Sequence, residues 1–247
     1  MIDSIYTSVS GMVAGMWQQA RIAQNLTNAN AIGYKAIRVS LSEFAALLNT
    51  IQSQAGETSG ETGGGVDIGP EETDFSQGPL ELTNRQLDLA LNGPGFLRVM
   101  TPSGERFTRA GRLHRDAAGQ LRTGHDHIVL GQNGPIELPV GDVFISPGGE
   151  IIVGEQTIDF LALAEFEDPE SSLERIGGTL YSAKQGIAAT PAANTWVVQG
   201  SLEGANVELA SAMTNLIATS RLYQLCQRLT VAQDEILRQT SNDLGRL

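Results

Sequence analysis

The chain has 247 residues, with 16 Lys and Arg against 28 Asp and Glu, a formal charge of −12. That balance repels phosphate backbones and argues against a nucleic-acid partner. No stretch approaches the roughly 20 apolar residues of a membrane span, and the lone Cys226 excludes an internal disulfide. Asp3 and recurrent polar residues at the N-terminus do not fit a cleaved signal peptide, so export without cleavage is the expectation if the protein leaves the cytoplasm.

Residues Ile2 to Asn30 predict a long helix. Ile2, Ile5, Val9, Met12, Met16, Ala23 and Leu26 recur at alternating steps of three and four, interrupted only by Gln19, which is a heptad seam. The helix ends in Asn28-Ala-Asn-Ala-Ile-Gly33, residues that tolerate a left-handed backbone. Tyr34 to Arg38 and Phe44 to Leu48 fit either an extended segment or a further helical turn. From Gln52 to Gly69 the composition turns to Gly, Ser, Thr, Gln and Glu, as in a linker or a loop that orders against a partner.

The middle, from about Thr73 to Gly200, holds short apolar runs: Leu87 to Leu91, Phe96 to Val99, Ile128 to Leu130, Val143 to Ile145, Ile151 to Val153 and Ile158 to Phe166. Gly, Pro and Asn clusters separate them, the pattern of an all-β sandwich or barrel. Asn206 to Leu244 predicts a second long helix, with Asn206 as N-cap and Glu208 in its first turn. Leu209, Met213, Leu216, Ile217, Tyr223, Cys226, Leu229, Ile236 and Leu237 form its apolar face, where Cys226 reads as a buried thiol. Neither helix buries its stripe alone, so the two ends are expected to pair as a coiled-coil stem. The fold class is therefore α+β, with an all-β domain inserted between paired terminal helices.

Motifs for chemistry are weak. His125-Asp126-His127 would put two imidazoles on one strand face but lacks the ligand count zinc requires, and a polar turn is the favoured reading. Gly63-Gly64-Gly65 lacks the Lys and Ser or Thr of a phosphate loop, and Pro94 removes an amide donor from Asn92-Gly-Pro-Gly95. The carboxylates Glu165, Glu167, Asp168 and Glu170 read as a solvated face. No nucleophile motif occurs, so neither catalytic residues nor cofactor or metal ligands are assigned. A metal-dependent hydrolase at His125 and His127 and a stalked binding domain remain the alternative classes. The latter has only two Trp and four Tyr with which to build aromatic pockets. Apolar surface in excess of what two helices cover instead suggests an assembly module, with Met12 and Met16 adapting to neighbouring subunits.

Three ordered blocks sharpen this reading. Gln24-Asn-Leu-Thr-Asn-Ala-Asn-Ala-Ile-Gly-Tyr-Lys35 resembles the signature that closes the N-terminal helix of bacterial flagellar rod and hook axial proteins. Leu87-Asp-Leu-Ala-Leu-Asn-Gly-Pro-Gly-Phe96, Phe107-Thr-Arg-Ala-Gly-Arg112 and Gly119-Gln-Leu121 are similar to the same family's central blocks, in the same order. Gly200-Ser-Leu-Glu-Gly-Ala-Asn-Val207, Met213-Thr-Asn-Leu-Ile217 and Arg221-Leu-Tyr223 resemble its C-terminal pattern. Thr27, Ala31, Ala205 and His125-Asp-His127 depart from the usual family residues. Within the family, the short length, the modest linker and Gly131 to Pro139 look most like the proximal-rod member, with the distal-rod member as near alternative and a hook-family axial protein as a further one.

The resemblance implies a structural subunit of the flagellar basal-body rod that polymerises into a hollow shaft, transmits torque and conducts exported subunits. It further implies an inner helical stem of residues 1–33 and 204–247, an extended linker of 34–72 and an outer β domain of 73–203. Implied partners are further copies, other rod proteins, the flagellar type III export apparatus and the rings around the rod. The implied location is the basal body in the periplasm. On this reading Ile5, Val9, Met12, Met16, Leu26, Leu209, Met213, Leu216, Ile217 and Tyr223 form the stem and its subunit contacts, while Asn25, Asn28, Asn30, Gly33 and Asn206 fix the helix ends.

Overall fold

The computed structural model describes residues 2–43 and 66–244; the Phe44 to Leu48 run and the triple glycine of the linker lie outside them. The described residues fold as mixed helix and strand, with a long helix toward each end and a β-rich middle. The helices are α1 (Ile2–Thr27), a short α2 (Pro169–Ser172) and α3 (Leu209–Leu244). The chain divides into two compact units, one of Met1–Thr27, Ile37–Glu72 and Glu208–Leu247, the other of Asn28–Ala36 and Thr73–Val207.

In the first unit α1 packs on α3, and a two-stranded sheet joins β1 (Ile37–Glu43) to β2 (Val66–Thr73). The ambiguity at Tyr34 to Arg38 resolves to a short coil and then strand. Asn25, near the end of α1, fixes the start of β1: its amide donates to the Ile37 carbonyl at 2.8 Å and its oxygen accepts from the Ile37 N–H at 2.9 Å. An amide side chain here mimics a strand partner, satisfying both backbone groups of Ile37. Arg21 stacks over Trp17 and pairs with Glu71 at 2.5 Å.

The second unit is built around β5 (Phe96–Thr101), which forms a hairpin with β6 (Gly104–Thr108). The ten-stranded sheet runs from β15 (Leu173–Gly177) through β16 (Leu180–Ala183), β6, β5, β9 (Ile128–Gly131) and β8 (Leu121–Thr123) to β7 (Leu113–Arg115). Off this path the start of β5 also pairs with β14 (Leu163–Glu165), β14 pairs with β17 (Thr190–Pro191), and β9 pairs with β10 (Gly134–Pro135). A three-stranded meander of β11 (Val143–Ile145), β12 (Glu150–Val153) and β13 (Gln156–Phe160) stands beside it. Two further pairs join distant segments: β3 (Leu80–Leu82) with β19 (Ser201–Glu203), and β4 (Leu89–Asn92) with β18 (Trp196–Gln199).

Because successive strand side chains alternate faces, β5 serves two cores at once. Leu97 and Val99 enter a large aliphatic cluster with Leu89, Leu91, Leu121 and Ile151. Phe96 points into a smaller aromatic cluster with Phe107, Phe166 and Tyr181, whose rings meet edge to face at 5.0 to 6.1 Å between centroids. This geometry places the positive ring edge on a negative face.

Candidate assembly interface

The α1–α3 contact combines small and polar residues with a few large ones from α3. On α1, Ser8 and Gly15 are buried, and a Cβ added at Gly11 would lie 3.2 Å from the Cys226 sulfur. A Cβ at Gly15 would meet the Tyr223 Cβ at 3.8 Å. Since Gly11 faces Cys226 and Gly15 faces Tyr223, the helices run antiparallel. On α3 the covered positions are Ala212, Leu216, Thr219, Tyr223, Cys226, Thr230, Gln233 and Leu237, at alternating steps of four and three. Thr219 and Thr230 direct their hydroxyls to their own helix, at Asn215 O (2.8 Å) and Cys226 O (3.0 Å). A polar seam residue is thereby satisfied without a partner across the contact.

The large apolar residues lie beside this seam. The Val9, Met12, Met16 row is displaced by one residue from Ser8, Gly11, Gly15, which rotates it by about 100° around α1. Val9 is 40% exposed and Met16 56%; Met12 and Leu26 are half-buried, and Ile5 lies in α1 where its side chain is not described. On α3, Leu209, Met213 and Ile217 are 45%, 52% and 55% exposed, while Leu216 and Tyr223 are half-buried against α1. Val13, Trp17, Leu222, Leu225 and Leu229 are also exposed. The pair thus keeps Gly11 and Gly15 inside and most of its large apolar side chains outside.

The helix-end residues have their own geometry. Ala31 N–H donates to the Asn28 carbonyl at 2.9 Å in the turn that follows α1, with Asn30 exposed within it. Gly33 has φ +66°, and a Cβ there would overlap the Arg109 backbone, so only glycine fits. Asn206 acts three residues ahead of α3: its oxygen accepts from Ala36 N–H at 2.7 Å, and its amide donates to Asp74 O at 2.7 Å and Ser76 O at 3.1 Å. Its side chain therefore ties three segments of the second unit together.

Beside Asn206 lies a charge cluster that no local pattern announces. Lys35, Arg109 and Glu203 are 0%, 2% and 0% exposed. Lys35 Nζ donates to Glu203 Oε1 at 2.6 Å and to Ser76 O at 2.7 Å. Arg109 reaches Glu203 Oε2 at 3.3 Å and the Gly93 carbonyl at 2.7 Å, and lies 4.8 Å over the Phe96 ring. Glu203 also accepts from Gly78 N–H at 3.0 Å. Burial pulls the Lys35 ammonium below its ordinary pKa, with Glu203 pulling it back, and burial likewise lowers Arg109 against the same carboxylate. Arg175 bonds the Lys35 carbonyl and stacks on Tyr34 and Tyr181. Burial raises the Tyr181 phenol, which Arg175 partly offsets. One carboxylate held by two cations and a backbone N–H is a structural tie.

The turn at His125 to His127 carries Asp126 at φ +69°, and His114 Nε2 lies 3.4 Å from the Asp126 carboxylate. Among the described residues no three His, Cys, Asp or Glu side chains come together as metal ligands. No helix there is long and apolar enough to cross a membrane.

The ion cluster takes one charge from each of three segments that lie far apart in the chain. Residues 198–243 match the C-terminal model of the flagellar basal-body rod FlgEFG proteins, and residues 90–153 match the D1 domain of the flagellar hook proteins FlgE/F/G. The FlgG basal-body rod protein of Bacillus subtilis is 30% identical over 98% of this chain and 99% of its own length. The chain belongs to the flagellar basal-body rod protein family. Caulobacter vibrioides FlgG is 32% identical over 97% of this chain and 98% of its own, and Salmonella typhimurium FlgF is 30% identical over 95% of each. The protein is a structural subunit of the flagellar basal-body rod, not an enzyme. Its Thr-Arg-Ala-Gly block supplies Arg109 to the cluster and Gly111 to a point where the backbone passes so close to Leu89 that a Cβ would overlap its carbonyl.

Proposed function

We propose that this rod subunit polymerises helically through its terminal helices, paired as a coiled-coil stem, into the hollow shaft that transmits torque and conducts exported subunits. The observation that carries the reading is the row of exposed Val9, Met16, Leu209, Met213 and Ile217 beside a seam of small residues. Contiguous apolar helix faces of this kind are covered by neighbouring subunits, and a contact whose rotation does not close generates a filament. The division into an inner stem (1–33 and 204–247), a linker (34–72) and an outer β domain (73–203) belongs to the same proposal. So do the stem roles of Ile5, Met12, Leu26, Leu216 and Tyr223 and the helix-end roles of Asn25, Asn28, Asn30, Gly33 and Asn206.

Partners on this reading are further copies, other rod proteins, the type III export apparatus and the surrounding rings, with the subunit in the periplasm after export without signal cleavage. The Gly131 to Pro139 segment supports a place in the proximal rod. Electron microscopy of basal bodies from a strain deleted for the gene tests both levels. A missing or truncated rod in non-motile cells supports the axial role, and the level of truncation separates proximal from distal. Intact rods with normal swimming contradict it.

A further inference from the structure

In a chain of net charge −12, the two ends of the ten-stranded sheet have opposite character. Residues 109–122 carry four arginines and one acid, and residues 165–174 carry five acids and no base. The first stretch contains β7 and the start of β8, one end of the sheet; the second leads through α2 into β15, the other end. From these two observations, and resting on the axial-subunit reading, we infer that the arginine end of one copy docks on the acidic end of the next copy in a lateral contact between β units.

Not every charge is available for such a contact. Arg109 is engaged inside, Arg122 is paired with Asp116 at 2.6 Å, and His114 has Asp126 beside it. Arg112 and Arg115 remain exposed at the basic end. At the acidic end Asp168 accepts from Ser171 N–H and Glu165 from Ala193 N–H, which leaves Glu167, Glu170 and Glu174 exposed. Apolar side chains accompany both sets. Met100, 41% exposed, is the strand partner of Ile128, itself opposite Arg122; Ile176, 54% exposed, is two residues beyond Glu174.

A charged edge also prevents indiscriminate strand pairing, because like ends of two copies repel. Opposite ends attract, and since they lie at the two sides of one sheet the contact is heterologous and repeats from copy to copy. A second copy is therefore the occupant that the charge pattern specifies. It is a partner present at every position of an assembly of this chain.

The test uses the full-length gene in a flagellated strain lacking its own copy. Arg112→Glu with Arg115→Glu, and separately Glu170→Arg with Glu174→Arg, are each expected to lower rod incorporation and swimming by about tenfold or more, since reversed charges meet like charges. The four substitutions combined are expected to restore both to within about twofold, because the pairing is restored with its sign exchanged. Cysteines at Arg112 and Glu174 in a Cys226→Ser background should cross-link copies into a ladder in isolated basal bodies. Rods that assemble without a ladder, cross-links only to another protein, or reversal variants that assemble like wild type overturn the pairing while leaving the axial role intact. A deletion strain that still builds rods overturns both.

Discussion

The β unit and the helix pair treat apolar side chains in opposite ways. In the β unit Leu89, Phe96, Leu97, Val99 and Leu121 are at or near zero exposure, and the Lys35–Glu203–Arg109 cluster is buried as well. In the helix pair the buried positions include Ser8, Gly15 and Thr219, while Met16, Met213, Ile217, Leu225 and Leu229 stand more than half exposed. The β unit closes around two buried apolar clusters; the helix pair leaves most of its large apolar side chains exposed. Lone helices with a thin mutual seam gain most of their stability only when packed.

Substitutions can break either side of the contrast. The largest effect is expected from Met213→Asp, which puts a charge where a neighbouring subunit would have to bury it unpaired. Rod incorporation and swimming should be lost, while the purified variant keeps the circular dichroism and melting temperature of the parent β unit. Next comes Glu203→Ala, which leaves Lys35 and Arg109 buried without their shared counter-charge. Breaking a buried pair in this way costs about 3 to 5 kcal/mol, measurable as a lowered urea midpoint. Gly33→Ala should follow, because a Cβ there meets the Arg109 backbone at a φ that favours glycine. Strain of that kind costs on the order of 1 to 3 kcal/mol, read as a drop in melting temperature with no change in the apolar face of either helix.

The smallest effect sharpens the contrast. Gly15→Ala adds a methyl at ordinary contact distance from Tyr223 and gains helix propensity of roughly 1 kcal/mol, so it should leave assembly unchanged or slightly favoured. Gly11→Ala meets the Cys226 sulfur at 3.2 Å and should fall below it in thermal stability, the difference vanishing in a Cys226→Ala background.

Much of this architecture is legible in the sequence where a signal is local. Three-and-four periodicity places α1 and α3 to within three residues at each end, and Gly and Pro turns delimit β5, β9, β11 and β12. The apolar run from Ile158 to Phe166 hides a break, because β13 ends at Phe160 and β14 begins at Leu163, pairing with a different strand. The seam illustrates a deeper ambiguity. Periodicity finds the Val9 and Met16 row but does not say whether a row faces its own partner helix or another molecule, and the glycines one residue away leave no hydrophobic trace. Lys35 and Glu203 are 168 residues apart, so each alone reads as an ordinary surface charge. Only tertiary pairing brings them, and Arg109, together. Asn206 resembles an N-cap by type and position, yet segments brought together by the fold take its amide.

Hydrogen–deuterium exchange on the purified full-length chain and on isolated rods compares the two units directly. The account predicts that amides of 2–27 and 209–244 exchange rapidly in the dilute monomer and become protected in the rod, while those of β5, β6, β9 and β16 are protected in both. Helices as strongly protected in the monomer as in the rod would contradict it, because their exposed apolar rows would then contribute nothing to assembly.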